Sequence, residues 1–374
     1  MRIVGVSLYA ICLPLRVPFR VAYGEWSSMP SIVCALVTDA GIVGWGESVP
    51  DPHVTGETPA SVLAMLLEDL APRMLGLDAR DLEAVEAEVF SAVLGAPAAK
   101  AALEIALNDA LGKAAGLPVC RLYGGRLQPE RELFYVTSLD SPEAMAQEAE
   151  RAIRSGGHHG LKLKLGRGGA ALEVDRLRAI RDAVGDVPIR IDANQGWGSA
   201  AEAVGTIRRL EAFEPMWVEQ PTARGDIAAL AEVRARVGVP IMADESVRDG
   251  AELLAVIQMR AADMVNVKLM KCGGVSRAAA LCHLAAAAGL KVQIGSMVES
   301  SIGSMAGAQL AAARPEIVSL ETSGPLLFAD DVGESVIRGP RFTVPDDPGL
   351  GVRVELARLE RLAQRIEHMG ERPS

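Results

Sequence analysis

A chain of 374 residues with 49% hydrophobic residues has room for two domains, or one large domain with additions, around a sizeable core. A formal charge of −10 and only 4% aromatic residues argue against a basic, aromatic-lined nucleic-acid surface. Five scattered cysteines without a CxxC pair argue against a disulfide framework and for a reducing, cytoplasmic setting.

The first run, IVGVSLYAICLPL (3–15), follows Arg2 and has a passing likeness to a secretory leader. No small-residue cleavage site follows, and Ser7 and Tyr9 interrupt it, so it reads as a first strand. No stretch reaches the apolar length of a membrane span, so no membrane partner is expected. Residues 1–127 read as an α+β capping domain, with strands at 2–13, 31–38 and 42–48 and helices near 57–75, 81–94 and 98–115.

From about 133 the pattern changes. Short strand-like runs recur: LFYVTS (133–138), LKLKL (161–165), IRID (189–192), MWVE (216–219), IMAD closing on Asp244, MVNVK (264–268), KVQIGS (291–296) and VSLE (318–321). Helical stretches such as 170–184 and 277–288 separate them. Eight strands alternating with helices predict a closed parallel α/β barrel over 128–334. A doubly wound open sheet is the alternative, without its usual GxGxxG signal. The tail 335–374, with strand-like RFTV and GVRVEL around PDDPGLG, does not form a ninth unit and is expected to pack back on the first domain.

Each run ends on a polar residue: Thr137, Lys164, Asp192, Glu219, Asp244, Lys268, Ser296 and Glu321, 24 to 28 residues apart. That spacing is one strand–helix unit, so each unit delivers one polar group to the C-terminal mouth, where barrel enzymes keep their chemistry. Strands often end in polar residues simply because loops begin there, but three acids on consecutive strands go beyond that. Asp192, Glu219 and Asp244 would repel one another unless a hard cation sits between them, and three carboxylates suit Mg²⁺. The competing reading is a salt-bridge network with neighbouring lysines.

Lys164 and Lys268 end the second and sixth strands, half a turn apart, and so face each other across the mouth. A lysine near a cation and another amine is pushed towards neutrality and can act as a base. Two bases on opposite faces of a metal-held carboxylate perform 1,1-proton transfer. Lys162 shares the inward face of its strand with Lys164 and adds positive charge near an enolate oxygen.

The motifs LKLKLG (161–166), RIDANQGW (190–197), VEQP (218–221), ADES (243–246) and VNVKLMKCGG (265–274) resemble, in order and spacing, the enolase superfamily in its muconate-lactonizing-enzyme subgroup. The resemblance spans essentially the whole chain. It implies a modified (β/α)7β barrel with a capping domain, one Mg²⁺ per subunit on Asp192, Glu219 and Asp244, and Lys164 and Lys268 as the acid/base pair. Enzymes of this superfamily are known to pair a lysine or histidine base with Mg²⁺.

Within the subgroup, MPSIV (29–33), DPHVTGET (51–58), GAPAAKAAL (95–103), QIGSMVESSIG (293–303) and SLETSGPL (319–326) resemble N-succinylamino acid racemases, especially those acting on the arginine and lysine derivatives. That likeness implies an acidic cap loop around Asp51 for a cationic side chain, with Pro52 where a second acid is expected. Dipeptide epimerases are similar but carry an acid-x-acid pair on the last strand. Here the run Glu321-Thr322-Ser323 has a single acid.

Thr137, Ser296, Glu321, Asp51 and His53 are the remaining candidate substrate contacts, alongside Lys162. Asn194 and Glu245 are candidates to support the metal ligands and Lys268. The expected partner is a small carboxylate, and family analogy implies a homo-oligomer. A cycloisomerase, dipeptide epimerase or dehydratase would use the same site. A Schiff-base aldolase also places a lysine on a barrel strand, but leaves the acids unexplained. A non-catalytic binding protein is the further alternative. His158-His159 read as solvated loop residues, GRGGA (166–170) as a turn without the P-loop lysine, and, in the run Lys271 to Gly274 after the sixth strand, the two glycines as loop shaping and Cys272 as small packing. Trp197 either lines the pocket or covers a loop.

Overall fold

The computed structural model describes residues 1–373. Strands β1 (Ile3–Val21), β2 (Gly24–Thr38) and β3 (Val43–Ser48) form an antiparallel meander. β1 runs well past the expected residue 13, because its second half pairs with β2: Leu13 with Met29, Phe19 with Trp26 and Val21 with Gly24. The register slips between Pro14 and Phe19, a stretch in which Pro14 and Pro18 have no N–H to donate. Residues 19–28 are thus a hairpin tip.

β3 crosses the helix Pro97–Ala115 at backbone contact. A Cβ on Gly44 would stand 2.1 Å from the Ala106 carbonyl oxygen, and one on Gly46 1.9 Å from that of Ala102. The expected helix 57–75 begins at Pro59 behind the Thr58 cap, passes through a π turn at Leu66–Leu70 and ends at Met74. That expected at 81–94 stops at Glu88, with a 3₁₀ turn beyond it at Phe90–Ala92. Val6, Leu8, Ile32 and Leu36 of the sheet bury against Leu66, Leu70, Leu103 and Leu107.

After β4 (Glu130–Glu132) come β5 (Tyr135–Thr137), β6 (Leu161–Lys164), β7 (Ile189–Asp192), β8 (Val218–Glu219), β9 (Ile241–Ala243), β10 (Met264–Val267), β11 (Lys291–Ile294) and β12 (Ile317–Leu320). β5 to β12 form one sheet in chain order, each pair parallel. A doubly wound sheet reverses its strand order, and this one does not. A helix follows each of the first seven strands, and only the single helical turn Gly324–Leu327, four residues long, follows β12, which is the (β/α)7β plan. No ladder hydrogen bonds join β5 to β12 among the described residues. The circuit is spanned inside by side chains, with Lys162 on Glu321 and Arg190 on Ser319 at 2.8 Å each.

In the tail, β13 (Gly333–Glu334) pairs with β15 (Arg353–Val354), and β14 (Arg341–Thr343) with β4. β16 (Ala363–Gly370) pairs antiparallel with β1, from Gly5–Gly370 to Ile11–Ala363. Its sequence, AQRIEHMG, lacks hydrophobic alternation because, as an edge strand, it is buried on neither face. Two buried carboxylates stitch the first domain to the barrel. Glu47 accepts from Ser300 N at 3.0 Å and Gly303 N at 2.9 Å, and Glu104 from Val275 N at 2.5 Å and Ser276 N at 2.9 Å.

Candidate active site

The pleat of β6 turns Leu161 and Leu163 towards the helices and Lys162 and Lys164 into the barrel. Lys162 Nζ is buried among three carboxylates: 2.7 Å from Glu219 Oε2, 2.8 Å from Glu321 Oε2 and 3.2 Å from Asp192 Oδ2. Lys164 Nζ donates to Asp192 Oδ2 at 2.7 Å and to Asn194 Oδ1 at 3.1 Å. Across the barrel, Lys268 Nζ lies 2.8 Å from Asp244 Oδ2, and Lys271 Nζ donates to Asp244 Oδ1 at 2.6 Å.

Asp192, Glu219 and Asp244 are fully buried, and one oxygen from each falls within 4.8 Å of the others. The lysines do form the ion-pair network weighed against a metal. That network does not scatter the acids, however: Glu219 Oε2 and Asp244 Oδ2 meet Lys162 Nζ and Lys268 Nζ at 2.7 and 2.8 Å while the three carboxylates still converge on one another. Three converging buried carboxylates, an all-oxygen donor set, fit a hard divalent cation. Asn266 Nδ2 fixes the other side of Glu219 at 2.8 Å, and Asn194 N that of Asp192 at 2.9 Å. Gly295 makes room for this: a Cβ there would lie 2.2 Å from Asn266 Oδ1.

Charge tunes the cluster. Burial pushes the Asp192 carboxyl up, but Lys164 and Lys162 outweigh it and hold the group down at about 2. Asp244 is likewise held low against burial by Lys268 and Lys271. Glu219 is driven well above the carboxylate range by burial and by Asp192, and Glu245 to about 7 by burial and then by Asp244 and Asp192. The expected push of the lysines towards neutrality rests on a cation held by the acids; the protein's own groups act the other way at Lys268. Burial favours its neutral form, but Asp244, Glu245 and Glu219 together raise it above the ordinary lysine value. Carboxylates lie nearer to it than any ammonium, and nearness decides the sign.

Lys164 and Lys268, four strands apart, line one cavity with Asn194, Ser296, Asp51 and Tyr23. Phe19 and Trp26 from the hairpin tip add to its wall. Tyr23 Oη donates to Asp51 Oδ2 at 3.4 Å. His53 is not on that wall: it stacks on Tyr23 with 4.5 Å between ring centroids and is largely exposed. Ser296 Oγ bonds Glu299 and accepts from Val298 N at 2.8 Å. Thr137 is fully buried, its hydroxyl 3.5 Å from the Lys162 carbonyl, and Glu321 is held by Lys162. Asn194 bridges Lys164 to Glu245, donating to the latter at 3.2 Å.

Three contributors escaped sequence reasoning. Asn266 shares the inward face of β10 with Lys268, two residues on, so the period-two rule that found Lys162 would have found it. Lys271 sits one helical turn after Lys268, on Leu269–Cys272, and returns to Asp244. Tyr23 lies between the expected strands 2–13 and 31–38, in a stretch to which the sequence pattern assigns no element. His158 and His159 are half-buried rather than solvated, against Tyr135 and Phe134, with His159 2.9 Å from Glu132. The GRGGA turn is filled by Glu173, which accepts from Gly166 N at 2.7 Å and Arg167 N at 2.9 Å. Trp197 is buried and off the cavity wall.

Residues 3–124 match the mandelate racemase / muconate lactonizing enzyme N-terminal domain, and residues 144–358 the enolase C-terminal domain-like family. The N-succinyl-L-Arg/Lys racemase of Bacillus cereus is 41% identical over 97% of this chain and 98% of its own. The crystal structure of a Bacillus cereus N-succinyl Arg/Lys racemase superposes with a TM-score of 0.96 at 40% identity, covering 99% of this chain and all of the other. A dipeptide epimerase of Enterococcus faecalis, solved with Mg and the dipeptide L-Leu-L-Tyr, gives 0.90 at 34% identity, over 94% of this chain and 99% of the other. With a capping sheet, a (β/α)7β barrel and three converging acids at its mouth, the chain belongs to the mandelate racemase / muconate lactonizing enzyme family of the enolase superfamily.

Proposed function

We propose that the protein is a racemase or epimerase that moves the α-proton of an N-acylated amino acid, an N-succinyl derivative first of all, by 1,1-proton transfer. The observation that carries this is the placement of Lys164 and Lys268 on strands half a circuit apart in the wall of one cavity. Asp192, Glu219 and Asp244 would hold one Mg²⁺ per chain, which supplies positive charge that acidifies a proton beside a carboxylate. One lysine takes the proton from one face of the α-carbon and the other delivers a proton to the opposite face. The two lysines therefore enter turnover one as a neutral amine and one as an ammonium, and leave with those states exchanged. Lys162 contributes fixed positive charge on the inner side of the cluster.

Two features support the finer reading. A free dipeptide needs acids to receive its α-ammonium, yet Glu321 is the one acid of its run and already carries Lys162. An acylated nitrogen brings no such charge. At the far side of the cavity Asp51 stands beside Tyr23 and Trp26, an acidic end on an aromatic wall that suits a long cationic side chain. Ser296 lines the same cavity, while Thr137, Glu321 and His53 act on substrate only through their neighbours in this arrangement. By family analogy the chain works as a homo-oligomer.

Polarimetry and chiral chromatography over N-succinyl-L-arginine, N-succinyl-L-lysine, neutral N-succinyl amino acids, L,L-dipeptides and cis,cis-muconate test this reading. The expected result is racemisation of the N-succinyl compounds, fastest for the basic pair, abolished by chelator. Turnover confined to dipeptides or to muconate would overturn it in favour of an epimerase or a cycloisomerase.

A further inference from the structure

A cavity of about 840 Å³ lies at the opposite, amino end of the barrel, beneath β7 to β12. In a chain of formal charge −10, its wall carries four cations, Arg190, Arg234, Arg260 and Lys291, against one carboxylate, Asp263. Asp263 is already committed, taking Arg234 Nε at 2.8 Å and Ile241 N at 2.9 Å. Arg234 also caps the Arg260 carbonyl at 3.1 Å, the ordinary duty of a cation at the end of a helix. Arg260 and Lys291 have no ion pair or side-chain hydrogen bond among the described residues.

The depth of the cavity carries the stronger signal. Arg190 is 6% exposed and Trp217 5% exposed, and both line it. The Arg190 guanidinium carbon stacks 3.3 Å from the Phe134 ring centroid and 4.3 Å from that of Trp217. Its Nη1 donates to Ser319 Oγ at 2.8 Å, but Nε of Arg190 and Nε1 of Trp217 have no acceptor. Buried donors without acceptors cost free energy unless an acceptor comes from outside. Around them, Met216, Val256, Leu290 and Val318 offer apolar surface, and Met216 and Val318 are 43% and 52% exposed at the rim.

We propose that this cavity is a second binding site, separate from the carboxylate cluster, for a small organic anion. The acidic group of the ligand meets the edge of the Arg190–Trp217 stack and the unpaired charges of Arg260 and Lys291, and its apolar body lies on Met216, Leu290 and Val318. The inference does not depend on which reaction the opposite mouth performs.

The test is calorimetric and fluorescence titration of the Mg²⁺-loaded full chain with benzoate and phenyl phosphate, with benzyl alcohol as the uncharged counterpart. The two acids distinguish a carboxylate site from a phosphate site. The double variant Arg260→Ala/Lys291→Ala removes two rim cations without touching the barrel interior, so anion binding at the opposite mouth stays equal in both proteins. A saturable component weakened at least tenfold in the double variant, lost in Arg190→Gln and absent with benzyl alcohol supports the proposal. Identical isotherms for the parent and the double variant, or no saturable component beyond the opposite mouth at millimolar probe, overturns it and leaves the cavity to water.

Discussion

Lys162 and Glu219 meet head to head inside the barrel, Nζ 2.7 Å from Oε2, with both side chains out of reach of solvent. The same ammonium also serves Asp192 and Glu321, so a single cation offsets three buried carboxylates. Replacing Lys162 by Met leaves Glu219 and Glu321 without their ion-pair partner, while Asp192 keeps Lys164, and breaking a buried pair from one side costs about 3–5 kcal/mol. The variant should show a clearly lowered melting temperature without metal and recover most of the loss in millimolar Mg²⁺, because the cation substitutes for the missing charge. Differential scanning calorimetry with and without Mg²⁺ reads this, and equal losses in both conditions would mean that the acids do not share a metal.

Asn266 orients Glu219 from the side opposite Lys162. Asn266→Ala should weaken Mg²⁺ binding roughly 10–100-fold, as loss of an outer-shell partner does, with little change in far-UV circular dichroism. Gly295→Ala should give the same phenotype, since its Cβ would stand 2.2 Å from Asn266 Oδ1 and push the amide away. Metal titrations indistinguishable from the parent in both variants would separate Asn266 from the metal site.

Glu47 joins the capping sheet to the barrel and is buried. Burial raises its carboxyl from the ordinary 4.5 to about 7, against the lowering effect of hydrogen bonds from Ser300, Gly303 and Ser31. The folded state therefore holds this proton more tightly than the unfolded state. The contribution is full below pH about 4.5 and is lost as pH rises to about 7, a swing of roughly 3 kcal/mol at 1.36 kcal/mol per pH unit. Chemical denaturation at pH 4.5 and pH 7.5 should show Glu47→Gln with a much smaller loss of stability between the two than the parent. A parent and variant with the same slope would mean that the carboxyl titrates normally.

Much of the site was legible because one repeat delivers it. A strand–helix unit brings Lys164, Asp192, Glu219, Asp244 and Lys268 to the same end, and strand alternation turns Lys162 inwards with Lys164. The parts that resisted lie where pairing or packing, not local pattern, decides the conformation. β16 has no fully buried residue on either face and carries no alternation, so only its ladder with β1 reveals it. The tip at residues 19–28 falls between the expected strands 2–13 and 31–38, yet its pairing continues to Val21 and Gly24 and sets Tyr23 and Trp26 over the cavity. Thr137 occupies the right place in the repeat, but β5 ends with its hydroxyl against a backbone carbonyl. The upward shift of Lys268 depends on distances to Asp244 and Glu245 that no spacing rule encodes.

The central claim is that Lys164 and Lys268 serve opposite faces of one α-carbon. It is tested most directly by following α-proton exchange in D₂O by NMR, from each enantiomer of an N-succinyl amino acid, with Lys164→Met and Lys268→Met. Each variant should lose racemisation by roughly 10²–10⁴-fold or more. Each should also lose exchange with one enantiomer while retaining it with the other, the two variants losing opposite enantiomers. Loss of exchange with the same enantiomer in both variants, or undiminished exchange with both enantiomers in either, would contradict the two-sided arrangement.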